Sequence, residues 1–272
     1  MTPSEIKSIF AKIGGGANKL LGQHFLIDDG VLNAIVEAAD VQNGERVLEV
    51  GPGLGVLTQA LLKRGAEVTA IEKDARFVEY LGSIASAPRV VQGDAARLDW
   101  NKEIGDGPWK FVSNLPYSIS SLALRKALWT EKPPKVIVVL VQKEVAQRAV
   151  DRRKTSLLSL MVALASREAE IVQIVPQGAF FPAPKVESAI LKIVPMPAKE
   201  RMTRWGMDPE KIMEIAKQGF AHPRKFLKSN LKKVLMHDHK ILQNCGISEK
   251  ARAEELSPED WARLAREVEN SR

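Results

Sequence analysis

Between residues 30 and 145 short apolar runs alternate with amphipathic stretches. "RVLEV" (46–50), "EVTAIE" (67–72), "RVVQGD" (89–94), "KFVSN" (110–114) and "KVIVVLV" (135–141) read as strands. Between them "LGVLTQALLKRG" (54–65), "DARFVEYLGSIA" with Asp74 at its N-cap, "SISSLALRKALW" and "KEVAQRAV" carry the helical period. Strand and helix in alternation predict a parallel sheet with crossover helices on both faces, and uninterrupted apolar strands fit a sheet buried on both sides. The rhythm changes after residue 155. "SLLSLMVALASR" reads as a helix, and "EAEIVQIVP" and "ESAILKIVP" as two strands pairing antiparallel at the sheet edge. The prolines of "PMPAKERMTRWGMDP" (195–209) mark a linker. Beyond it "EKIMEIAKQGFA", "RKFLKSNLKKVLM" and "SPEDWARLAREVEN" read as helices, the last with Ser257 as N-cap and Pro258 at the first helical position. Two domains are expected, an α/β domain over 1–197 and a small all-helical domain over 198–272.

Composition narrows the class. The chain has 272 residues, 45% of them hydrophobic, which is enough for a large core. The N-terminal stretch lacks a signal-peptide pattern, and "VIVVLV" and "LMVALA" are too short to span a bilayer, so a soluble cytoplasmic protein is expected. Cys245 is the single cysteine, which excludes an intramolecular disulfide. "MHDHK", with His237 and His239, reads as a solvated helix end rather than a metal site. The net charge is +7, and its distribution is uneven: Lys217, Arg224, Lys225, Lys228, Lys232, Lys233 and Lys240 face one acid, Asp238, within 24 consecutive positions. Cations clustered at helical spacing are the footprint of a phosphate-binding face.

The chemistry begins where the first strand runs into "EVGPGLG" (49–55). Gly51, Gly53 and Gly55 make G-x-G-x-G; the dinucleotide fingerprint needs its third glycine at position 56, which is Val56. G-x-G-x-G after a strand that carries an acid is the class I methyltransferase version of the Rossmann-like sheet. Glu72 ends the second strand about 20 residues on, where a carboxylate meets the two hydroxyls of a ribose. Asp94 ends the third strand, placed to accept from an exocyclic adenine amine. All three positions fall at carboxyl ends of parallel strands, where such sheets bind ligands. Together they point to an adenosyl ligand, S-adenosylmethionine.

"SNLPYS" (113–118) ends the fourth strand on the same edge. An adenine N6 amine is a poor nucleophile because its lone pair is delocalised into the ring. The Asn114 side-chain oxygen and the Leu115 carbonyl can each accept an N–H from it and aim its lone pair at the methyl group. Pro116 stiffens the turn, and Tyr117 offers a ring for a flipped base to stack on.

On these residues the chain resembles the ribosomal RNA adenine dimethylase family over nearly its full length. The matching stretches are "LGQHFLID", "VLEVGPGLGVLT", "AIEKD", "GDAARLD", "SNLPYSIS", "VQKEVAQR", "GAFFPAPKVESAILKIVP" and "RKFLKSNL". The resemblance implies dimethylation of two adjacent adenosines near the 3′ end of small-subunit rRNA during ribosome assembly, on the 30S particle; a monomer is expected, though no motif in the sequence sets the oligomeric state. It implies that His24 and Leu26 contact the cofactor, with Gly51, Gly53, Glu72 and Asp94 as its loop, ribose and adenine contacts. It implies that Asn114 binds the target amine, that Tyr117 stacks on the base and that Phe180 closes on it from the other side. "RKFLKSNL" matches a basic helix, which assigns RNA contacts to Arg224, Lys225, Lys228 and Lys232. Three departures stand out: Ser113 where glycine is usual, Lys154 and Thr155 for an aromatic and a glycine, and His24 for asparagine. Alternatives remain: a large-subunit rRNA methylase conferring antibiotic resistance, a non-catalytic assembly factor, and a small-molecule methyltransferase that would leave the basic segment unexplained.

Overall fold

The computed structural model describes residues 1–17, 23–84, 87–236 and 240–271. In chain order its strands are β1 (Phe25–Leu26), β2 (Arg46–Val50), β3 (Glu67–Glu72), β4 (Arg89–Gln92), β5 (Trp109–Asn114), β6 (Ile137–Gln142), β7 (Ser166–Val175), β8 (Phe180–Phe181) and β9 (Ser188–Pro195). Its helices are α1 (Pro3–Ile13), α2 (Asp29–Ala39), α3 (Val56–Lys63), α4 (Ala75–Ser83), α5 (Trp100–Ile104), α6 (Ser120–Leu128), α7 (Lys143–Val150), α8 (Leu157–Ala165), α9 (Ala198–Trp205), α10 (Pro209–Gly219), α11 (Leu227–Asn230), α12 (Ile241–Asn244) and α13 (Pro258–Asn270).

Seven strands form one sheet in the order β4-β3-β2-β5-β6-β9-β7. The first five run parallel, and β9 lies antiparallel to β6 with Ile193 opposite Ile137. Ile137 to Val141 of β6 are all solvent-free, which explains their unbroken apolar run: a central strand is covered on both faces and has no polar side to show. From β2 the chain moves outward to β3 and β4, then crosses back to β5. At this reversal the ladder stops early. β2 and β5 pair only from Arg46–Trp109 to Leu48–Phe111, whereas β2 follows β3 as far as Val50–Ile71 and β5 follows β6 as far as Asn114–Leu140. The two strands therefore fork at their carboxyl ends, and a crevice opens there.

The chain divides into two compact units, Met1–Ala146 with Glu170–Pro195, and Gln147–Ala169 with Met196–Arg272. The later break falls two residues before the expected 197/198 boundary. Residues 147–169, expected in the first domain, group with the second unit, where α8 packs on α10 and α13. That packing covers α8 on several sides, so Leu158, Leu160, Met161 and Leu164 are all buried.

Two expectations about secondary structure need correction. The stretch 195–209 is not a plain linker, because it contains α9. Pro197 is its N-cap, Gly206 closes it in the left-handed region at φ +66°, and Arg201 and Trp205 are buried on one face. The Trp205 indole N–H donates to the Leu164 carbonyl at 2.9 Å. Nor is "RKFLKSNLKKVLM" one helix. Only Leu227–Asn230 is α-helical, with a 3₁₀ turn at Val234–Met236. The Asn230 side chain bends back to donate to the Gly219 and His222 carbonyls, at 2.6 and 3.0 Å, and such side-chain bonds compete with helix continuation. α13 starts as expected: Ser257 accepts from the Asp260 N–H and Asp260 reaches back to the Ser257 N–H. The pattern does not announce α1, α2 or the two-residue strands β1 and β8, which pair antiparallel with Phe25 opposite Phe181 and Leu26 opposite Phe180.

Candidate active site

The crevice at the fork is lined by the glycine loop after β2, the ends of β3 and β4, the turn after β5 and the β1 segment. Gly51 and Gly53 have φ of +71° and +56°, the left-handed region that glycine enters without penalty. A Cβ at position 51 would lie 3.0 Å from Cγ and Cδ of Pro116, so the glycine loop and the turn after β5 pack directly on one another. A Cβ at 53 would lie 3.0 Å from the Phe25 ring.

Glu72, at the end of β3, is 6% exposed. Its Oε2 accepts from the Gly53 N–H at 3.1 Å, and its Oε1 accepts from the Lys73 and Asp74 N–H groups at 2.7 and 2.8 Å. Burial raises its pKa, against the downward pull of the three N–H groups. A carboxylate has about four lone-pair sites, so Oε2 keeps one acceptor position for a ligand hydroxyl. Glu49, behind the loop, is more deeply buried. Burial pushes its carboxyl up to about 8, against the Thr58 hydroxyl bond of 2.6 Å and with help from the charge of Glu72. Asp94 is held below the usual range by Lys73, whose ammonium lies 2.9 Å away, and by the Ala96 N–H at 2.9 Å. The Asp94 loop is itself tied down: Lys126 Nζ donates to the carbonyls of Ala95, Ala96 and Leu98 at 2.9, 3.2 and 2.5 Å.

Asn114, Leu115, Pro116 and Tyr117 form the opposite wall. The Leu115 N–H donates to the Leu140 carbonyl at 3.1 Å, and its side chain is buried. The Asn114 amide nitrogen donates to the His24 carbonyl at 3.3 Å. His24 Nδ1 donates to the Pro182 carbonyl at 2.8 Å, and its ring stacks on Tyr117 at 5.7 Å between centroids. The Tyr117 hydroxyl meets the Ser188 hydroxyl at 2.6 Å, and burial raises its pKa. A single crevice thus holds His24, Leu26, Gly51, Gly53, Glu72, Asp94 and the four residues of the turn.

Phe180 is placed elsewhere. It is 3% exposed and lies in the apolar core with Leu26, Val31, Ile35 and Ile190, whereas the resemblance implied a ring facing the target base. In the β1–β8 pair its ring takes the core side, and the next residue, Phe181, takes the other, with Lys7 Nζ 5.6 Å from its ring centroid. In the second unit Arg224, Lys225, Lys228 and Lys232 are all exposed, and Lys228 pairs with Glu249 at 2.8 Å. Phe226 among them is 46% exposed. No group of three or more His, Cys, Asp or Glu side chains among the described residues is arranged to hold a metal ion; His237 and His239 lie outside them. No helix among the described residues is long and apolar enough to cross a membrane.

Sequence reasoning missed Lys126 and the bond made by Ser113, whose hydroxyl donates to the Val50 carbonyl at 2.6 Å. Ser113 was visible only as a departure, and Lys126 gave no local signal, because its acceptors are main-chain carbonyls about 30 residues away.

A family model described as ribosomal RNA adenine dimethylase matches residues 15–270. The chain is 40% identical over 263 residues to the ribosomal RNA small subunit methyltransferase A of Dehalococcoides mccartyi, covering 92% of this chain and 88% of that protein. Its structure is similar to that of a dimethyladenosine transferase from Plasmodium falciparum, with TM-score 0.76, 25% identity, and 91% and 98% of the two chains covered. It is also similar to the 23S rRNA methyltransferase ErmE, with TM-score 0.65, 25% identity, and coverage of 90% and 99%.

Proposed function

The chain belongs to the ribosomal RNA adenine dimethylase family, and from that premise we propose which RNA it modifies and which residues do the work. It is an S-adenosylmethionine-dependent rRNA adenine N6-dimethyltransferase on a class I methyltransferase fold. Our reading is that it dimethylates two adjacent adenosines near the 3′ end of small-subunit rRNA, as a cytoplasmic monomer acting on the 30S particle during assembly. The small-subunit name of a relative 40% identical over most of the chain supports that choice.

The donor set suits a nucleoside ligand. The glycine loop lets the main chain approach closely, Glu72 retains an acceptor position for a ribose hydroxyl, and Asp94 stands as acceptor for an exocyclic amine. When bound, the cofactor supplies a methyl group already activated on a sulfonium. The protein must then orient a weak nucleophile. Asn114 carries the proposal: its nitrogen is committed to the His24 carbonyl, which leaves Oδ1 as the acceptor for the target amine. Two acceptors at the amine, Asn114 Oδ1 and the Leu115 carbonyl, draw its lone pair out of conjugation. Tyr117, steadied by His24 on its face and Ser188 at its hydroxyl, is the stacking surface for the extruded base. The exposed cations Arg224, Lys225, Lys228 and Lys232 are the proposed phosphate contacts.

Radiolabelled methyl transfer to small subunits lacking this modification tests the reading, with large subunits and free RNA alongside and N6-dimethyladenosine identified after digestion. Label in small subunits alone is the expected result. Label in large-subunit RNA points to the resistance methylase, and cofactor binding with no label anywhere to a non-catalytic factor.

A further inference from the structure

The fork between β2 and β5 separates the two halves of the site. On β2 the glycine loop begins just after Val50; on β5 Asn114 stands just after Ser113. The last ladder pair is Leu48–Phe111, so Val50 and Ser113 lie two positions beyond regular pairing. Ser113 is fully buried, and its hydroxyl spans the opening to donate to the Val50 carbonyl at 2.6 Å. The other end of the same peptide unit, the Gly51 N–H, donates to the Ile71 carbonyl of β3 at 2.9 Å. The peptide that starts the glycine loop is thus pinned from both sides, toward β5 by Ser113 and toward β3 by Ile71. Beyond the bridge, Gly51 packs on Pro116 so closely that a Cβ would stand 3.0 Å from its ring.

We propose that Ser113 is a positioning residue for methyl transfer: its hydroxyl, spanning the fork, sets the separation between the glycine loop and the Asn114 turn. The inference rests on the proposed roles of the crevice residues. Ser113 touches neither cofactor nor base in this role. It acts through Val50 on the loop and through its own main chain on Asn114. Transfer between two separately bound groups is steep in their spacing, and a misplacement of about 1 Å can cost on the order of a hundredfold in rate.

The bond can be observed without turnover. Val50–Gly51 is the one Val-Gly step in the sequence, so carbonyl-13C valine with 15N glycine labelling gives a single correlation for this peptide. In Ser113→Ala and Ser113→Gly, the Val50 carbonyl resonance moves upfield as it loses its donor. Single-turnover methyl transfer at saturating cofactor and RNA falls about tenfold or more, while the Kd values for S-adenosylhomocysteine and for RNA stay within about threefold. Ser113→Thr, which keeps the hydroxyl, keeps both the resonance and the rate. Either hydroxyl-free variant suffices if the other does not fold. A wild-type rate in Ser113→Ala overturns the positioning role, and so does a rate loss matched by an equal loss of cofactor affinity. A resonance that does not move removes the bond itself. If the unmodified protein transfers no methyl to any ribosomal substrate, the proposed roles of the crevice fail, and the inference with them.

Discussion

The side-chain amide of Asn114 donates to the main-chain carbonyl of His24 at 3.3 Å, across 90 positions of sequence. An amide presents nitrogen and oxygen at nearly the same place, so an acceptor role depends on something that commits the nitrogen. His24 does this with its main chain. Its ring meanwhile bonds Pro182 and stacks on Tyr117, so one residue organises both the acceptor and the stacking surface.

Asn114→Ala is accordingly expected to lower methyl transfer by about a hundredfold or more, the usual cost of removing one preorganised polar group at a reacting centre. Cofactor affinity, measured calorimetrically with S-adenosylhomocysteine, is expected to survive. Transfer near the wild-type rate would remove Asn114 from the amine.

Glu49 makes stability depend on pH. Its folded pKa, about 8, lies above the ordinary carboxyl value of 4.5. The folded state then binds a proton that the unfolded state has released, so the contribution is fully present below about pH 4.5 and is lost as pH rises through about 8. Thermal unfolding from about pH 5 to about pH 9 is expected to show a declining midpoint in the wild type and a shallower decline in Glu49→Gln. Parallel curves would place the proton elsewhere.

Lys225→Glu combined with Lys228→Glu is expected to weaken RNA binding and to flatten its salt dependence, by roughly one unit of log–log slope for each phosphate no longer neutralised. Because Lys228 is paired with Glu249 and exposed pairs are weak, Glu249→Gln is expected to tighten binding slightly. Fluorescence anisotropy across a salt series reads both effects, and an unchanged slope would move the RNA surface to another face.

Phe180→Ala tests the core placement of that ring. A buried ring removed from a packed core costs about 3–5 kcal/mol, so chemical denaturation should show a large loss of stability. A residue that served only to stack on the base would instead lose rate at unchanged stability.

Much of the fold was legible because burial writes itself into side-chain period. The runs 46–50 and 67–72 mark β2 and β3 to the residue, and the rule that parallel sheets bind ligands at their carboxyl ends places Glu72 and Asp94 in the crevice before the fold is seen. Asp74 and Ser257 cap the helices where local chemistry predicts. What failed was local pattern read past its reach. Prolines at 195 and 197 hid α9, which needed its tertiary partners to bury Trp205. Asn230 ended a helix that its neighbours favoured.

The strands, their buried faces, the glycine loop and the acids at the strand ends could all be read from the chain, because hydrophobicity, φ preference and charge belong to each residue in its own place. The β1–β8 pair that brings His24 to Pro182 and Asn114, the side on which Phe180 falls, and the fork that Ser113 bridges could not. Those depend on which segments meet after long loops close, and the free energy of that meeting is shared among partners roughly 60 to 160 positions apart, none of which carries it alone.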